Sequence, residues 1–228
     1  MKIKGDVLRA AGALIIAATL AACASPAPAI QTGPGAETTF DGLVAVDNTA
    51  LSKVWVRPDI DLNGYAKVLP VITDVQYAAA REYRGNMSLR SSEKNFPMSD
   101  AEKERFEKAA NEIFLEEFSK SGKFELVDQP GDDVLLVRVE ILDVTSMVPP
   151  EEPGQRIYVR TIGEAGLVLE VYDSKEKQIL ARAVDRREFA FPGDQIRISS
   201  RGLNESQVRN GLRSWARILV NGLDSMKN

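Results

Sequence analysis

The sequence predicts an α+β domain, a largely antiparallel sheet with two helices packed on one face. Three observations predict it. Runs with the two-residue alternation of half-buried strands fill most of the chain from residue 53 to 191, two segments of helical period interrupt and close them, and no stretch repeats at a 20–50-residue spacing. The order ββ, α, ββ, ββ, α suits helices layered on one sheet rather than a strict strand–helix alternation. With 228 residues, 44% hydrophobic and 27% charged, the chain has the composition of a folded protein with one core.

Taken in order, Lys53–Arg57 (KVWVR) alternates polar and apolar until Pro58 stops it. Tyr65–Tyr77 carries the β-branched enrichment of a longer strand, with Pro70 at an edge or bulge. Residues 81–97 are polar and read as a surface loop. Ser99-Asp-Ala-Glu102 is a capping box, and Phe106, Ala110, Ile113, Phe114 and Phe118 follow at helical spacing, with Gly122 as the expected left-handed stop. Phe124–Val127 is a short strand, Asp128–Gly131 a turn, and Asp133–Met147 a strand with Leu135, Val137, Val139 and Ile141 on one face. The strand after the first helix is expected to pair in parallel through a right-handed crossover. Pro149, Pro150 and Pro153 open a second loop, reaching Glu164. Gly166–Tyr172 and Gln178–Phe191 form the next pair, and a last helix from about Glu205 to Ser225 buries Val208, Leu212, Trp215, Leu219 and Leu223.

Composition excludes much chemistry. The chain contains no histidine, which removes Ser-His-Asp and Cys-His catalysis and imidazole metal ligation. A single cysteine allows no internal disulfide and no cysteine-rich metal site. A net charge of −4 gives no footprint for nucleic acid. No phosphate-binding loop, Gly-x-Ser-x-Gly elbow or dinucleotide fingerprint is present, and no cofactor is expected.

The amino terminus reads as an address. Lys2, Lys4 and Arg9 precede an uncharged run from Ala10 to Ala22, too short for a spanning helix and suited to a signal peptide. Leu20-Ala21-Ala22-Cys23 resembles the lipobox of bacterial lipoproteins. The resemblance implies cleavage before Cys23 and acylation of its thiol and new amino terminus, with two or three chains giving stable anchorage. An ordinary secreted protein cut near Ala22 and an uncleaved anchor are the other readings. Ala24 and Ser25 hold no aspartate, which in such lipoproteins points to the outer membrane, domain in the periplasm. The expected organisation is a signal peptide over 1–22, a lipidated cysteine and flexible linker over 23–39, and one domain over 40–228. Removing residues 1–22 leaves 26 basic and 32 acidic side chains. An acidic body is repelled by anionic lipid, so the tether is expected to hold it at the membrane.

Tyr65-Ala-Lys-Val-Leu-Pro-Val71, Asp128-Gln-Pro-Gly-Asp-Asp-Val-Leu135, Val171-Tyr-Asp-Ser174 and Asp185-Arg-Arg187 resemble bacterial lipoproteins of the domain-of-unknown-function 3313 type. The resemblance covers nearly all of the chain after Phe40 and implies a lipoprotein with an α+β fold. It implies no activity, substrate or catalytic residue.

Few constellations remain. Asp59, Asp61 and Asn63, with Gly64, match the first half of a calcium loop, but Pro70 stands where the bidentate glutamate belongs, so a surface turn is expected and no metal. Asp185 and Arg187 fall on one strand face, Arg186 and Glu188 on the other; the arginines suit an anionic partner or, more simply, cross-strand pairing with Glu170 or Glu140. Asp143 and Asp185 would serve as an acid–base pair only if held about 5–9.5 Å apart. Arg81, Arg84 and Arg90, with Arg186 and Arg187, are the candidate partner-binding residues, and the loops 81–97 and 149–164 the candidate contact surfaces. The expected function is a non-enzymatic, lipid-anchored envelope module that binds a protein or a cell-wall or lipid component. The alternative is a carboxylate-dependent envelope hydrolase.

Overall fold

The computed structural model describes residues 26–79, 95–150 and 153–227. Among them run β1 (Ala29–Ile30), β2 (Val44–Asp47), β3 (Lys53–Val56), β4 (Lys67–Tyr77), α1 (Asp100–Phe118), β5 (Glu125–Leu126), β6 (Val134–Ser146), β7 (Tyr158–Val159), β8 (Thr161–Asp173), β9 (Ile179–Ala190), β10 (Arg197–Ile198) and α2 (Arg201–Met226). Eight strands form one sheet in the order β1-β2-β3-β9-β8-β6-β4-β5, and β7 pairs with β10 as a separate two-stranded arm. All pairs are antiparallel except those of β4 with β5 and with β6, which are parallel, with α1 in the connection. The predicted α+β architecture is the one observed.

Strand alternation drives the layering. Leu135, Val137, Val139 and Ile141 on β6, and Ala165, Leu167, Leu169 and Val171 on β8, are buried, while the intervening residues are half-exposed. Both helices lay their apolar stripes on that buried face, α1 with Phe106, Ala110, Ile113, Phe114 and Phe118, α2 with Leu212, Trp215, Leu219 and Leu223. Tyr77, Phe106, Phe189 and Trp215 join the layers as a chain of edge-to-face rings with centroids 6.2–6.3 Å apart. Glu117, 4% exposed, clamps the helices together through Lys120 at 2.9 Å, Arg213 at 3.2 Å and Arg217 at 3.0 Å.

Several sequence expectations need correction. The capping box at Ser99 and Glu102 is present, but α1 ends at Phe118 with Ser119 as its cap, not at Gly122. Gly122 instead donates its N–H to Asp224, whose other oxygen accepts from Ser121, so the residues after α1 are tied to the end of α2. Helix α2 starts at Arg201, four residues before the expected start at Glu205. The segment expected as linker is folded from Ala29: β1 pairs with β2, Gln31 donates to Asp47, and Glu37 binds Lys53 and Trp55. The loop expected over 149–164 contributes β7 and the first residues of β8.

The registers give the sheet two distinct ends. The carboxyl ends of β2, β4, β6 and β9 point the same way, and β1, β3 and β8 begin at that end. Chain preceding Ala29 therefore leaves toward the same end of the sheet as β9 does, three strands away from it.

Close approach fixes two glycines. A Cβ at Gly211 would fall 2.4 Å from the Phe189 ring, where α2 crosses β9, and one at Gly163 would fall 2.0 Å from the Thr145 carbonyl oxygen, beside the register shift between β6 and β8. The second neighbour is backbone and cannot swing away. Gly163→Ala is expected to cost about 1–3 kcal/mol, measured as a lower urea midpoint at unchanged slope.

Candidate functional site

The paired sheet residues come first, because they carry most of the charges singled out in the sequence. Alternation turns Asp185 and Arg187 toward the helices, in step with Ala181, Ala183 and Phe189, which are buried. Asp185, 8% exposed, accepts from Trp215 Nε1 at 2.7 Å, Ser52 Oγ at 2.6 Å, Ser52 N at 3.1 Å and Arg187 Nε at 2.9 Å. Burial alone would raise its pKa; the hydrogen bonds from Ser52, Trp215 and Arg187 outweigh it and hold the carboxyl below the usual aspartate value. Arg187 also donates to Ser214 on α2.

Arg186 faces the opposite side of the sheet, bound to Glu164 at 2.6 Å and to Asp143 at 3.5 Å. Neither Glu170 nor Glu140 is its partner. Register places Gly166 opposite Arg186 and Glu170 opposite Arg182, so Arg182 takes Glu170 and also holds Asp41. Asp143, in a left-handed backbone conformation at the irregular stretch of β6, and Asp185 thus lie on opposite faces of the sheet, each with its own arginine. They do not form an acid–base pair.

Asp61 accepts from Asn63 N at 2.9 Å and Leu62 is fully buried between them, the geometry of a surface turn. Among the described residues no three acidic or cysteine side chains gather as a metal site. Leu20, Ala21, Ala22, Cys23, Arg81, Arg84 and Arg90 lie outside the described residues.

The motif residues Tyr65, Gly131, Asp173 and Ser174 meet at the far end of the sheet. Tyr65 donates to Asp173 at 3.0 Å, Asp173 caps the backbone N–H groups of Lys175 and Glu176, and Ser174 exchanges hydrogen bonds with Gly131. Burial first, then the Asp173 carboxylate, pushes the Tyr65 phenol up to about 12. This cluster locks two turns together.

The opening suited to a ligand lies at the other end and was not legible in the sequence. A cleft of about 780 Å³ separates the first turns of α1 and α2. Its apolar surface comes from Phe106, Val144, Ile162, Phe189 and Val208, its rim from Pro97, Val148, Pro149 and Pro150. Val208, expected in the core, is half-buried and lines this cleft. The charged lining is internally matched: Arg105 with Glu205 at 3.0 Å, Arg209 with Glu112 at 3.3 Å. Burial would raise Glu102, but Ser99 hydrogen bonds and then Arg105 and Arg201 hold it below its ordinary value, as an ionised cap. Two buried oxygens make no hydrogen bond among the described residues: Asn204 Oδ1, whose amide donates to Ser199 at 2.9 Å, and Glu205 Oε1, which has only its ion pair with Arg105. An amphipathic cleft with paired charges and unsatisfied buried oxygens has the makings of a binding site.

A family model described as protein of unknown function (DUF3313) matches residues 37–219. The chain belongs to that family. No curated protein matches it. Similar solved structures include the PelC dodecamer of Paraburkholderia phytofirmans, 11% identical over 73% of this chain and 95% of that one at TM-score 0.38. A DUF330 protein of Xanthomonas campestris is 9% identical over 78% and 92% at TM-score 0.38. A neuraminyllactose-binding hemagglutinin homologue of Helicobacter pylori is 10% identical over 73% and 84% at TM-score 0.33.

The Asp185 cluster yields a pH test. A carboxyl held low in the folded state contributes stability above its unfolded value, near 3.9, that is lost as pH falls through the folded value. Asp185→Asn is expected to cost about 3 kcal/mol at neutral pH by leaving Arg187 without its counter-charge. The variant should also flatten the loss of stability below pH ~4, read from denaturation curves across pH.

Proposed function

We propose that this DUF3313 protein is a lipid-anchored module of the bacterial cell envelope that binds, without chemistry, an envelope protein or a cell-wall or lipid component in the cleft between its helices. The observation that carries the binding reading is the cleft itself, amphipathic and with a spare buried acceptor at Asn204. Its charged side chains pair with one another, Arg105 with Glu205 and Arg209 with Glu112. The anchoring reading rests on the basic start, the short apolar run and Leu20-Ala21-Ala22-Cys23. Among the described residues no helix is long and apolar enough to cross a membrane, so attachment would fall to the acylated cysteine. Ala24 and Ser25 after the cysteine, with no aspartate there, support outer-membrane placement with the domain in the periplasm.

Two measurements check this reading. Cys23→Ala should abolish incorporation of radioactive palmitate in cells, and undiminished labelling would refute the anchor. A photo-crosslinking amino acid at Val208, inside the cleft, should capture a discrete envelope component that one at Leu115, on the outer surface of α1, does not. Equal capture at both positions would refute the cleft as the binding site.

A further inference from the structure

Helix geometry gathers the unsatisfied groups of the cleft on one side. Asn204 Oδ1 and Glu205 Oε1, the two buried oxygens without a hydrogen bond among the described residues, stand on consecutive residues of α2. Val208 follows Asn204 by four residues and Glu205 by three, so all three share a helix face, and all three line the cleft. Phe106, Val144, Ile162 and Phe189 supply further apolar lining. A ligand seated against this wall meets carbon with one part of its surface and acceptors in want of a donor with another.

Charge adds a second constraint. Every cation of the lining has an acid beside it: Arg105 has Glu205 at 3.0 Å, Arg209 has Glu112 at 3.3 Å, Lys108 has Glu112 at 4.0 Å, and Arg201 stands near Glu102. A carboxylate or phosphate would have to break one of these pairs, and it has no proton to give the two waiting oxygens. An acyl chain fills apolar space but carries no donor, and the ammonium of an amine-bearing lipid brings its phosphate with it. A glycan has donors and little apolar surface to set against Phe106 and Phe189. A peptide has both, an N–H at each residue and side chains alternating about it. At about 780 Å³ the opening takes a drug-sized body, so a segment enters and a folded domain does not.

We infer that the cleft takes an extended apolar segment of an envelope protein, whose backbone N–H groups satisfy Asn204 and Glu205 while its side chains lie on Val208, Phe106 and Phe189. The inference deepens the cleft reading above and rests on it. Cell-wall stem peptides share the backbone, but they bring carboxylates and no large apolar side chain, so the segment is one from a protein.

The test pans random seven-residue peptides displayed on phage against the full chain in phosphatidylcholine vesicles. Peptides rich in apolar residues should be enriched. A fluorescent copy of the strongest should lose roughly tenfold or more in affinity on Ala101→Arg, which crowds the cleft from an exposed position on α1. Methylating the peptide's backbone nitrogens one at a time should find one whose loss weakens binding about three- to tenfold. At that nitrogen the effect should vanish in the Asn204→Leu background, since donor and acceptor of one hydrogen bond are lost only once. Failure to enrich any peptide overturns the inference. So does affinity unmoved by Ala101→Arg, or methylation that costs the same in Asn204→Leu as in the unchanged chain at every position. The cross-linker at Val208 separates this inference from the reading beneath it. A polypeptide captured there supports both, and a lipid or glycan keeps the cleft as a binding site but overturns the peptide. Capture equal to that at Leu115, or only within the chain itself, overturns the cleft reading.

Discussion

Everything in the helix layer is referred to the sheet through a carboxylate that faces the wrong way for an exposed acid. Asp185 sits on the apolar side of β9, and its hydrogen bonds reach α2 through Trp215 and the turn before β3 through Ser52. Arg187 balances its charge and reaches α2 again at Ser214. Burying one ionised group with four donors replaces its lost hydration by directed bonds, which fixes where α2 lies along β9 in a way that apolar contact alone does not. With α2 so placed, Gly211 meets Phe189, the aromatic chain continues to Phe106 on α1, and the space between the helix starts is left as the cleft.

Glu117 repeats this solution between the helices. It is buried on the inner side of α1, and Lys120 just after α1, with Arg213 and Arg217 of α2, surrounds it. The two clamps act at different heights, Asp185 holding α2 to the sheet and Glu117 holding it to α1, so the cleft walls are set from behind by ionic contacts and in front by the matched pairs Arg105–Glu205 and Arg209–Glu112.

Long elements were legible in the sequence because their patterns are long. Alternation in β6 and the capped stripe of α1 each span enough residues for period to decide the outcome. β1, β5, β7 and β10, with two residues each, carry no period, and they exist because a partner strand is already in place. The strand face of Asp185 was readable from parity, since Ala181, Ala183 and Phe189 share it, but charge pointed the eye outward. Its true partners lie 133 and 30 residues away, and no local signal ties Ser52 or Trp215 to β9. The cleft has the same origin: its walls come from two helices distant in sequence, and Val208 reads as core until the angle between those helices leaves it uncovered. The resemblance motif containing Tyr65 and that containing Asp173 mark turns, which explains why they identify a family and say little of its activity.

The shortness of β1 has a mechanical consequence. The chain leaves Ala29 along the strand axis, so tension applied through the amino terminus loads both β1–β2 residue pairs in shear, together rather than one by one. Two pairs are a weak catch beside the long ladders of β6, β8 and β9. Under a sustained pull β1 would slip first, up to the contacts that Glu37 and Thr38 make with the sheet, freeing about 30 Å of chain while the long ladders hold. If the amino terminus is the point of attachment, the domain would have two standing distances from it, a close one at rest and a longer one under strain.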